Sequence, residues 1–244
     1  MSKLFSFQIL KQSLKTSWIW WLVLVIVTSI NLLAFPSGFG ADADGLQMLT
    51  MFANTGIGGN GMIFTILFAL IFANIFITGE VDKGTLSIYL NTPTKRRQIL
   101  FSRVLILVFF LVLFPVVTGA IGALSIVMHG SDFYFGKWWT IITLWLLYSL
   151  VVGGIVFLIA CWFNKSRYTL AIGALILGAF FVFSMLAGLE NFEFLRFFTL
   201  QSLMNMDAVI QGDSVAWQII VMPLIAIPFY IAGVIKFLRK DLHI

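Results

Sequence analysis

The stretch ITGEVDKGTLSIYLNTPTKRRQILFSR, residues 77–103, is an island of charge between two long apolar runs. Seven of the chain's 25 charged residues fall in its 27 positions: Glu80, Asp82, Lys83, Lys95, Arg96, Arg97 and Arg103. The flanking runs are long and apolar enough to be lipid-buried helix. A patterned polar segment between them faces water.

Composition extends this outward. The 244 residues are 61% hydrophobic and 10% charged, with mean hydropathy +1.04. A soluble domain carries about 25% charge. Crossing a bilayer takes roughly 20 apolar residues as helix. Six runs qualify: Trp18–Pro36, Gly61–Gly79, Val104–Met128, Trp138–Phe163, Tyr168–Leu189 and Val215–Ile235. They are continuous rather than alternating, which excludes an outer-membrane barrel. The first is too long and Trp-rich for a cleaved signal and is expected to stay as a helix. The expected fold is an all-α integral membrane protein, residues 1–244 forming a single transmembrane domain.

Charge orients the spans. With the N-terminus inside, segments 1–17, 80–103, 164–167 and 236–244 hold 13 of the 15 Lys and Arg, leaving Lys137 and Arg196 outside. Seven of the ten acidic residues fall outside. Six spans with both termini cytoplasmic follow.

Residues 1–17 place Leu4, Phe7, Leu10 and Leu14 at steps of three and four, with Lys11 and Lys15 on the other side. This predicts an amphipathic helix in the inner interface, its lysines toward anionic headgroups. A flexible basic leader is the alternative. Trp18, Trp20 and Trp21, and Trp138 and Trp139, fit an interfacial aromatic belt. Residues 37–60 read as an outer loop. Its GIGGNG, Gly56–Gly61, lacks the strand–helix setting of a dinucleotide fingerprint, and GSDFYFGK, Gly130–Lys137, has the wrong spacing for a phosphate loop. Pro115, Pro223 and Pro228 lie within spans. Small residues recur four apart at Gly119 and Ala123, Ala69 and Ala73, and Ala174 and Gly178. Residues 164–167 make a tight hairpin of spans four and five. Residues 190–214 are too polar to span and predict one or two short outer helices.

No catalytic or metal-binding set emerges. Cys161 is the single cysteine, and His129 and His243 fall at opposite faces. The predicted span interiors hold no Asp, Glu, Lys, Arg or His, unlike the paths of proton and ion pumps. Asn31 and Asn74 are their most polar side chains, either bonding between helices or lining a route for a polar group. The 26 phenylalanines fit an aromatic interior for amphipathic cargo or a lipid-facing surface.

Within the charged island, Gly84 and Thr85 can start a helix, with Asp82 or Thr85 as cap. Leu86, Tyr89 and Leu90 then share a face. Pro93 pushes Thr92 out of helix. The product is about two turns, too short to persist unaided, so the inner ends of the spans or a partner's groove must hold it. Lys95, Arg96 and Arg97 form a basic foot suited to headgroups.

The pattern Glu80, Gly84-Thr85-Leu86, Pro93, Arg96 and Arg103, placed between spans two and three, resembles the type-2 ABC transporter permeases. That family commonly has Lys where Arg103 stands. The resemblance covers the whole chain: an N-terminal elbow helix, six spans and outer helices between spans five and six. It implies a cytoplasmic coupling helix at Gly84–Asn91 that docks on a separate ATP-binding subunit, with Leu86, Tyr89 and Leu90 as anchors. Glu80, Lys83, Arg96 and Arg97 would flank and brace it. Further implications are two ATPase copies carrying ATP and Mg, a second permease subunit as homo- or heterodimer, and membrane lipids as partners. A bacterial cytoplasmic membrane and export of drugs, peptides or other amphipathic cargo fit the compact form. No cofactor of its own and no nucleic acid are expected. An ATP-independent channel and a membrane-embedded lipid- or peptide-processing enzyme are the competing classes.

Overall fold

The computed structural model describes residues 7–34, 44–84, 96–128, 133–187 and 199–240, with 189, 192, 194 and 195. Six helices are long and apolar enough to cross a membrane. They are α1 (Phe7–Ala34), α2 (Gly45–Asp82), α3 (Arg96–Met128), α4 (Phe135–Trp162), α5 (Ser166–Leu186) and, after the short outer α6 (Met206–Gln211), α7 (Ala216–Arg239). A 3₁₀ turn, Leu200–Leu203, precedes α6. Among the described residues, 199–214 thus hold two short helical pieces.

Three expectations are corrected. The separate elbow is absent among the described residues: positions 7–17 are the first turns of the same unbroken helix as span one. The outer loop is mostly helix, because α2 begins at Gly45, not Gly61. Its GIGGNG lies in a π-helical stretch, Phe52–Gly61. Glycine weakens a helix in water, but here it permits close packing. A Cβ on Gly56 would sit 3.0 Å from Leu32, and one on Gly61 3.1 Å from Trp145. Third, Trp138 is no belt residue. It is fully buried, and its indole N–H donates to the Gly119 carbonyl at 3.2 Å.

Helix α4 is the hub, packed most extensively on α7 and also on α3, α2 and α5, while α1 lies against α3. A column of rings fills the centre. Phe68, Phe72 and Phe76 recur every four residues on α2. Phe68 stacks on Phe72 at 4.3 Å and on Phe114 at 4.9 Å. Phe72 meets Phe110 edge-on at 5.3 Å, and Phe114 meets Trp145 at 5.7 Å. Edge and offset contacts of this kind add to the burial of the rings themselves. Few side chains of α1, α5 and α7 are buried.

In lipid every buried backbone group needs a partner within the protein. Pro115 has no N–H for the Leu111 carbonyl four residues back. Ser149 of α4 supplies the missing donor at 3.0 Å. Helix α3 therefore stays helical through its proline.

Candidate functional site

The expected docking helix, Gly84–Asn91, lies beyond Gly84 in residues 85–95, which are not described, so Thr85, Leu86, Tyr89, Leu90 and Pro93 lie outside the described residues. Its two flanks are described. The first is the end of α2, which runs on through Glu80 to Asp82. Gly84 does not start a helix. It adopts φ +68°, the left-handed conformation that closes a helix C-terminus, and its N–H bonds back to Val81 at 3.1 Å. Asp82, expected to cap that new helix, belongs to α2. Its carboxylate instead accepts from the backbone N–H of Ser166 at 3.1 Å, at the start of α5, where a negative charge is favoured.

One turn of α2 faces two other helices. The Glu80 carboxylate pairs with the Arg103 guanidinium of α3. Arg103 also donates to the Ser13 hydroxyl of α1. Arg103 is 5% exposed and Glu80 15%. A pair this buried draws its stability from having every partner in place. Just above, the Thr78 hydroxyl donates to the Ala160 carbonyl at 3.1 Å and shares a 3.0 Å hydrogen bond with Thr169. These contacts join α2 to α1, α3, α4 and α5.

The second flank is the start of α3. Arg96 does not hang free as a headgroup ligand. Its guanidinium donates to the Phe237 carbonyl and, at 2.8 Å, to the Lys240 carbonyl, and it lies 5.0 Å over the Phe237 ring. A cation there satisfies the last carbonyls of α7. Lys240 repeats the device on α4, donating to the Cys161 carbonyl at 3.0 Å and the Phe163 carbonyl at 2.9 Å. Burial, with the Lys236 and Arg96 charges adding to it, lowers the Lys240 ammonium to about 8. Arg97 and Lys83 are exposed.

Between the first flank and α1 lies a cavity of about 320 Å³. Ser13, Ser17, Asn74, Glu80 and Arg103 line it. Among the described residues, the Ser17 hydroxyl and the Asn74 carbonyl oxygen, both buried there, have no hydrogen-bond partner. Asn74 thus borders a polar space at the basic end. The Asn31 amide donates to the Val27 carbonyl of its own helix at 2.9 Å. Sequence reasoning missed Ser13, Ser17 and Lys240. It placed Arg103 in the motif without a partner. The signal for Arg103 was its spacing, since seven residues from Arg96 are two helical turns and one face.

The profile of a family described as ABC-2 family transporter protein matches residues 9–183. The chain belongs to that family of transporter permeases, and it is a multi-pass membrane protein. No curated protein matches it.

Proposed function

We propose that this chain is the membrane subunit of an ATP-driven exporter. The basic end is its cytoplasmic face, in keeping with the distribution of Lys and Arg. Two copies of a cytoplasmic ATPase, carrying ATP and Mg, dock on residues 84–91. Two permease subunits form the path. The subunit makes no covalent chemistry.

One observation carries this reading: both flanks of residues 85–95 are fastened to other helices. Glu80 is tied through Arg103 to α1, and Arg96 to the end of α7. A push on the segment is therefore delivered to α1 and α7, two of the least buried helices. The ring column closes the middle of a single subunit, so the path runs along the exposed faces where two subunits meet. Amphipathic cargo suits such a face, apolar along its length and polar at both ends. The drug, peptide or lipid it carries is to be found by transport assay.

The test is the double variant Leu86→Asp with Tyr89→Asp, reconstituted with the cognate ATPase. It is expected to insert normally and to lose at least tenfold of the permease-stimulated ATPase activity. Unchanged stimulation would show that docking lies elsewhere.

A further inference from the structure

At the end of the bundle opposite the basic one, α2, the last turn of α5 and the outer segment border an open cavity of about 370 Å³, at whose rim Asn54 and Asp207 are exposed. That is about ten times a water's share of liquid volume and within the range of small-molecule sites. Its lining includes one charged side chain, Asp207, and no Lys or Arg among the described residues. The nearby Lys137 is engaged with the Ile210 carbonyl at 2.6 Å. The Asn54 amide nitrogen donates to one Asp207 oxygen at 3.0 Å. This turns the Asn54 carbonyl oxygen and the second carboxylate oxygen into acceptors for something else. Ser184 and Ser202 add hydroxyls. Met204 and Met206, both buried, form a soft floor that adapts to irregular shapes.

A fixed negative charge, several acceptors and an adaptable apolar floor complement an ammonium group. An anion would meet the Asp207 charge, and a bare metal ion would leave most of the volume empty. Ser184 also ties the cavity to a surface. Its neighbours on α5, Val182, Phe183 and Met185, are exposed. An apolar tail attached to the ammonium has a face to lie along.

We propose that this cavity binds the ammonium head of a cationic amphiphile whose tail lies on α5. Treating the amphiphile as cargo rests on the exporter function proposed above; the binding itself does not. The test is equilibrium binding to the purified chain in maltoside micelles, with a dansyl-tagged alkylammonium and the alkylsulfonate of equal tail length. The ammonium probe is expected to bind more tightly. Asp207→Asn keeps an acceptor for Asn54 and removes the charge, so it is expected to weaken ammonium binding about tenfold and leave the sulfonate unchanged. Ser184→Lys, which adds a cation from the α5 side, is expected to weaken it at least as much. Equal ammonium affinity in wild type and Asp207→Asn would overturn the proposal. Competition by phosphatidylethanolamine would assign the site to an aminophospholipid head, and its absence to a free amphiphile. ATPase stimulation is read separately, so ammonium binding that persists without stimulation counts against the exporter function and for the site.

Discussion

Arg103 shows how much one buried charge can organise. Its guanidinium joins α3 to Glu80 of α2 and Ser13 of α1 in a space nearly closed to solvent. Removing one member strands the other, at a cost of about 3–5 kcal/mol. Glu80→Gln and Arg103→Gln are each expected to lower the thermal midpoint in detergent clearly. The double variant, which buries no charge, is expected to recover more than half of the loss. Equal damage from single and double variants would mean that the pair does not stabilise the bundle. The sequence signalled that Glu80 and Arg103 mattered through their charge and, for Arg103, its spacing from Arg96. Their partners were not legible, because Ser13 and the Phe237 carbonyl have no signature that distinguishes them from other hydroxyls and carbonyls. Asp82 shows the same limit: its type announced a cap, and only the fold shows that the capped helix is α5.

At the scale of elements, the six spans were legible because each needs a long apolar run. Their ends were not. Glycine-rich Gly56–Gly61 was expected to be loop on propensity, yet close contacts with α1 and α4 keep it helical. The small-residue pairs divide in the same way. A Cβ on Gly119 would meet Ile142 at 2.5 Å, whereas one on Gly178 meets nothing within 4 Å. Gly153 is tighter still, with Leu111 at 2.3 Å and Tyr230 at 2.9 Å. Gly153→Val is therefore expected to destabilise by about 1–3 kcal/mol through overpacking. Gly178→Ala is expected to be neutral or to stabilise by up to about 1 kcal/mol, since alanine is the better helix former. Thermal unfolding of both variants in one detergent decides this. A Gly178→Ala loss as large as that of Gly153→Val would refute the packing.

For the molecule as a whole, the basic end is a ring of fastenings, and its last member can be titrated. Lys240, lowered to about 8, holds the end of α7 against the end of α4. Competitive labelling with an amine-reactive reagent is expected to show its reactivity half-maximal near pH 8, below the ordinary lysine value of about 10.4. The folded state then binds fewer protons here than the unfolded chain between those values. This site's penalty is full below pH 8 and shrinks as pH rises toward 10.4. A midpoint near 10.4 would mean that the terminus is not seated. Cys161, fully buried in α4, is expected to resist maleimide until the protein is unfolded.

Arg96 and Arg103 lie two turns apart on α3 while gripping α7 and α1. The start of the first helix and the end of the last are therefore held at the same end of α3. With the basic end in the cytoplasm, as proposed above, residue 240 of one copy and residue 7 of another can be joined in a single polypeptide by a water-soluble linker that does not recross the bilayer. Such a tandem would let one half carry a variant that the other lacks.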